Sequence, residues 1–225
     1  LYYPSAKDVY VKVGLKDGTI LRVPSTYLYG NGIDKNLTSY TPSAVEGLYG
    51  VTREDIVMVE VPLGIETIDG RDGIDGAKVG VFYQNAFLEE IILPQSIKTI
   101  RKYAFSEMPK LKRVTGLEHI SDTIENDAFR QTDSSVFDMD HIVLNAKTIG
   151  ANSFRNVRMK TLTFGKNVDT INDYAFALDQ SLTTKLVEIF VEENTTLNRA
   201  KLSEISGAFS RIGSGHQFGT NNIVF

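Results

Sequence analysis

LEEIILPQSIKTIRKYAF, residues 88–105, carries a spacing of apolar positions that returns several times downstream. Ile91 and Leu93 alternate as in a strand, Pro94 marks a turn, and an isoleucine pair, Ile97 and Ile100, leads to Phe105. Aligned on the last residue, Ile100 with Phe105, Ile124 with Phe129, Ile149 with Phe154 and Ile171 with Phe176 share one offset of five. The residue before each Phe is small: Ala104, Ala128, Ser153 and Ala175. Successive Phe positions lie 24, 25 and 22 residues apart, a period that belongs to repeat architectures.

Working outward, the run Val59, Val61, Ile65, Ile68 matches Ile91, Leu93, Ile97, Ile100, with Pro62 against Pro94. Its Phe is expected at Phe87, after Ala86, which makes DGRDGIDGAKVGVF (residues 69–82) an insertion. Downstream, Ile142 with Leu144, Leu162 with Phe164, and a looser copy from Ile189 to Phe209 continue the series. A single unit of this kind cannot bury its apolar side, whereas units stacked in parallel form continuous columns. The expected fold is therefore a repeat array over residues 57–212 with one parallel β-sheet and short helical or irregular segments on the other side.

Residues 1–56 lack the repeat. Val9, Val11 and Val13, the turn Lys16-Asp17-Gly18 and the run from Ile20 to Val23 predict a hairpin. Residues 27–40 predict a long loop, and Ser43 and Thr52 are N-cap candidates for two short helices. The region reads as a β-rich cap for the first repeat. A further helix is expected over 198–205, and residues 213–225 read as a Gly-rich tail before a closing strand or cap at Ile223, Val224 and Phe225.

The net charge of −4 and the absence of a basic stripe argue against nucleic acid. No apolar run approaches the length of a membrane span, and no signal-like segment is present in the chain, which begins at Leu1. With no cysteine, disulfides, thiolate metal sites and a Cys nucleophile are excluded. No catalytic or phosphate-binding motif appears, no two of His119, His141 and His216 have metal-ligand spacing, and no cofactor is expected.

The pattern LxxIxLPxSIxxIxxxAF resembles the BspA-like, or Treponema-type, subclass of bacterial leucine-rich repeats. Residues 88–105 and 159–176 (MKTLTFGKNVDTINDYAF) carry it most closely. The resemblance implies a curved horseshoe within secreted or surface-attached bacterial proteins, and adhesion to host proteins or other cells for some members. It does not extend to residues 1–56.

Strand alternation supplies the candidate binding residues. If Ile91 and Leu93 point inward, Glu90 and Ile92 point outward, and the same phase makes Glu60, Arg113, Thr115, His141, Val143, Thr163 and Phe190 outward. Ile92, Val143 and Phe190 are apolar on what should be a solvated face, as in an interaction patch, although β propensity or cover by the caps, loops or a neighbouring copy explains them better. Asp69, Asp72 and Asp75 form a weak calcium candidate, since the EF-hand spacing and its closing Glu are absent and a flexible polar loop explains them better. The expectation is a non-enzymatic module that binds a protein or glycan through its sheet face or insertion. The alternatives are a structural spacer and a hydrolase with a site in the N-terminal region.

Overall fold

Three ladders run across stacked repeats in the computed structural model, whose description covers residues 9–30, 35–131, 137–179, 188–193, 197, 208–209 and 223–224. The N-terminal region contains β1 (Tyr10–Leu15), β2 (Ile20–Pro24), the single-turn helix α1 (Thr26–Tyr29), β3 (Asn36–Leu37) and α2 (Ser43–Tyr49). The repeats supply β4 (Ile56–Glu60), β5 (Thr67–Ile68), β6 (Gly70–Asp72), β7 (Lys78–Gly80), β8 (Glu90–Ile92), β9 (Thr99–Ile100) and β10 (Arg113–Thr115). They continue with β11 (Thr123–Ile124), β12 (Phe137–Leu144), β13 (Thr148–Ile149), β14 (Val157–Phe164), β15 (Thr170–Ile171), β16 (Glu188–Val191) and β17 (Ile223–Val224).

The expected hairpin is present, with β1 antiparallel to β2 and Gly18 in the left-handed conformation its turn requires. Residues 27–40 are not merely a loop. Leu28 and Leu37 are buried, and Leu37 pairs in parallel with Ile68, so core burial overrides the polar, Gly-rich composition. Ser43 is the first helical residue rather than the cap of α2, because Pro42 occupies that position. Thr52 starts no helix. Its N–H and hydroxyl both donate to Asp55 Oδ2 at 2.8 Å, closing a turn that delivers the chain into β4. The expected helix over 198–205 and the Gly-rich tail at 213–220 lie outside the described residues.

The single parallel sheet is corrected by the structure. Outward-facing strands form two ladders: β10-β8-β4 in parallel, extended antiparallel by β1 and β2, and β12-β14-β16-β17 in parallel. The break has a local cause. Gly116, at φ +91, turns the chain directly after Thr115, and Leu117 enters the core from a 3-10 turn (Leu117–His119). The next strand, β12, packs beside that turn instead of pairing with β10.

A second ladder of two-residue strands runs uninterrupted past this break in the order β15-β13-β11-β9-β5-β3. Leu37, Ile68, Ile100, Ile124, Ile149 and Ile171 form its buried column. Thr67, Thr99, Thr123, Thr148 and Thr170 align on its outer side. The residues just before these strands alternate in sign: Lys35, Glu66, Lys98, Asp122, Lys147 and Asp169. Glu66 sits between Lys35 at 3.1 Å and Lys98 at 3.0 Å, and their hydrogen bonds hold its carboxyl below the usual range. Lys98→Glu would place three acids in succession. The expected result is a melting temperature lower by roughly 1–2 °C at low ionic strength, a difference that closes in 1 M salt when followed by circular dichroism.

The third ladder is the phenylalanine turn. Phe82, Phe105, Phe129, Phe154, Phe176 and Phe209 stack with centroids 4.9 to 5.5 Å apart and interplanar angles of 6 to 16°. Each ring's backbone N–H donates to the carbonyl of the residue preceding the next Phe, as in Phe105 to Ala128 at 2.8 Å and Phe129 to Ser153 at 2.7 Å. Adjacent turns press directly on Ala104, Ala128, Ser153 and Ala175, which is why that position is small. Here a second expectation fails: Phe82, fully buried, takes the column position assigned to Phe87. Phe87 follows an Ala as the motif does, but it lies only half-buried to one side.

Candidate functional site

Every candidate sheet-face residue lies on an outer face, but the faces belong to two different ladders. On the first, Glu60, Ile92 and Thr115 share one cross-strand row, and Met58, Glu90 and Arg113 share the next. Arg113 pairs with Glu90 at 2.7 Å, Lys112 with Glu89 at 2.7 Å, and Lys12 with Glu60 at 3.6 Å. A shallow groove of about 370 Å³ runs among Val57, Met58, Glu89, Glu90, Lys112 and Arg113. Its acids and bases largely satisfy one another, so it offers little free charge to a ligand.

On the second ladder, His141 faces Thr161, with the ring Nδ1 hydrogen-bonded to the Thr161 hydroxyl. Val143, Thr163 and Phe190 make the next row, with Val143 40% and Phe190 37% exposed. Two solvated apolar side chains therefore flank a threonine on a rigid, parallel-paired surface. Ile92 does not join them. It lies on the other ladder, half-buried between Glu60 and Thr115.

The insertion is an ordered hairpin, which corrects the expectation of a flexible loop. β6 pairs antiparallel with β7, and the pair lies flat on the turn of the following repeat. A Cβ on Gly70 would stand 1.9 Å from the Lys102 carbonyl oxygen, and one on Gly80 would stand 2.4 Å from that of Tyr103. Only glycine permits this approach. Ion pairs then clamp the hairpin: Lys102 to Asp72 at 2.7 Å and Lys78 to Glu107 at 2.6 Å, with the Lys78 ammonium 5.9 and 5.6 Å from the Tyr83 and Tyr103 ring centres. Burial would raise the Glu107 carboxyl, but hydrogen bonds from Lys78, Gln84 and Tyr83 outweigh it and hold the group below its usual range.

The three aspartates of the insertion do not converge. Asp69 bonds to Arg71 at 3.1 Å, Asp72 is held by Lys102 and Tyr103, and Asp75 sits at the tip in the left-handed conformation. Among the described residues no group of three acidic or histidine side chains is placed to hold a metal ion. Ile74 at the same tip is 88% exposed.

Two features escaped the sequence reading. The threonine ladder is written in the sequence as a Thr one residue before each column isoleucine, a polar period that runs beside the apolar one. The other is a groove of about 420 Å³ between the N-terminal region and the first repeat turn, lined by Tyr40, Pro42, Arg53, Gln84, Asn85, Ala86 and Phe87. No local motif announces it, because its walls come from segments some 30 to 45 residues apart.

A family described as BspA type leucine-rich repeat region matches residues 78–200 in six copies, more than half of the chain. No curated protein matches the chain. Among solved structures, a leucine-rich repeat protein from Eubacterium ventriosum, determined at 2.50 Å resolution, is similar with a TM-score of 0.50 and 21% identity. The match covers 84% of this chain and 43% of that one, so this chain spans less than half of its relative's length. At that identity the likeness speaks to the fold alone. No described helix is long and apolar enough to cross a membrane.

Proposed function

This chain belongs to the BspA-type leucine-rich repeat family, and on that premise we propose that it is a non-enzymatic interaction module of a secreted or surface-attached bacterial protein. It binds a protein or glycan partner through the outer face of β12, β14 and β16. The observation that carries this reading is the exposed row Val143, Thr163, Phe190, apolar side chains held rigidly where solvation favours polar ones. His141 and Thr161 extend the same face by one row. Residues 1–56 act as the cap of a horseshoe, with β1 covering the edge of β4 that β8 leaves open and β2 pairing in turn with β1.

Hydrogen exchange with candidate matrix proteins tests the reading. Protection of peptides spanning 139–144, 159–164 and 188–191 by one partner is the expected result. Phe190→Ser is expected to weaken that partner about tenfold or more with little change in melting temperature, since truncating an apolar anchor at an interface typically costs about 1–2 kcal/mol. An unchanged affinity of Phe190→Ser would reject this face. The second reading, a spacer within a longer surface protein, draws on the self-paired charges of the first ladder, Glu89 with Lys112 and Glu90 with Arg113. On that reading no partner protects either ladder.

A further inference from the structure

We propose that the groove between the N-terminal region and the first repeat turn is a binding site for a carboxylate-bearing sugar. It lies apart from the β12, β14 and β16 face and does not rest on that reading.

The inference comes from the unused valences of the lining residues. The Arg53 guanidinium lies over the Phe87 ring, 5.7 Å from its centre, and no carboxylate of the described residues is in ion-pair range of it. The Glu46 carboxylate accepts from the Arg53 backbone N–H and fixes the residue's position. The Asn85 Oδ1 accepts from the Phe87 and Leu88 N–H groups at 3.0 and 2.9 Å, which aims the remaining amide, an NH₂ donor, outward. The Gln84 Nε2 donates to Glu107 at 2.9 Å, leaving its carbonyl oxygen as an acceptor. Tyr40 packs tilted against Phe82, the first ring of the column, with ring centres 5.2 Å apart, and burial, together with the Glu46 carboxylate, pushes its hydroxyl above the usual tyrosine value, so it enters the groove as a neutral O–H.

The groove therefore offers one strong cationic fork, an amide donor, a phenol, one acceptor and an aromatic face. A guanidinium fork matches a carboxylate bidentately, and ring faces take the C–H side of a pyranose while hydroxyls reach the amides. The volume of about 420 Å³ is of the size that holds one or two sugar rings. A neutral sugar would leave the guanidinium without its counter-charge, and a purely apolar ligand would leave the amides unpaired.

Isothermal titration of the full chain with trigalacturonate, with 3′-sialyllactose and with neutral maltotriose separates the possibilities. Binding of trigalacturonate alone identifies uronic acids, binding of sialyllactose alone identifies sialic acids, and binding of both makes the carboxylate the whole determinant. In each case maltotriose is expected to bind at least about tenfold more weakly, and Arg53→Gln to lose about tenfold or more in affinity for the acidic sugar. Arg53→Lys recovers part of it, and Phe190→Ser changes nothing. Equal binding of maltotriose, an unchanged affinity in Arg53→Gln with a parent-like melting curve, or no binding of either acidic sugar overturns the proposal. Because Arg53 is exposed, its variants are expected to fold, and the melting curve verifies it.

Discussion

Phe129→Ala is expected to lower the free energy of unfolding by about 3–5 kcal/mol in a urea titration followed by circular dichroism, a large part of a typical domain's stability. The ring is fully buried and stacked on both sides, 4.9 Å from Phe105 and 5.0 Å from Phe154. Its removal opens a cavity in the column that no flanking side chain can close, because each neighbour is fixed by its own stacking partner and by backbone hydrogen bonds to the next turn. Stacked repeats depend on nearest-neighbour interfaces, so the loss falls on two interfaces together. Phe87→Ala is the control. Phe87 is half-buried and outside the column, and its truncation is expected to cost about 1 kcal/mol or less. Equal costs for the two would contradict the assignment of Phe82 as the column residue.

Gly70→Ala has the next largest expected effect, and it is local. Its methyl group cannot coexist with the Lys102 carbonyl, so either the β6 and β7 hairpin lifts off or the turn beneath it distorts. Overpacking of this kind costs about 1–3 kcal/mol. Amide exchange should rise across residues 69–82 while peptides around Phe129 and Phe154 keep their protection. Undamaged protection over 69–82 would show that the hairpin does not depend on this close approach.

The same hairpin gives a pH dependence with a defined direction. Glu107 is held below its usual value of 4.5, chiefly by hydrogen bonds that overcome its burial. The unfolded chain therefore takes up this proton first. The stabilisation from Lys78, Gln84 and Tyr83 is complete above the unfolded value and is lost as pH falls through the folded one. Asp72, lowered mainly by its bond to Lys102, adds to the loss in the same direction. Hairpin exchange should accelerate as pH falls below the usual glutamate value of 4.5, and Glu107→Gln should flatten that response.

The sequence by itself determined that the chain is a stack of parallel repeats, because burial demands the same residue type at the same place in every unit. Ile100 with Phe105, Ile124 with Phe129 and their counterparts announce the columns, and strand alternation correctly turned Glu90, Val143 and Phe190 outward. What it did not determine arises where chain segments meet without a local signature. The split of the sheet depends on one left-handed glycine, Gly116, and on how β12 packs against the turn that follows it. Phe82 rather than Phe87 enters the column because the hairpin returns the chain at Phe82, a geometry that Ala86-Phe87 imitates in sequence alone. The groove around Arg53 exists only once Tyr40, Arg53 and Phe87 are brought together by folding. A repeated core leaves a periodic trace because each unit solves the same packing problem. A site between unlike segments leaves none, since each of its residues answers to a different neighbour.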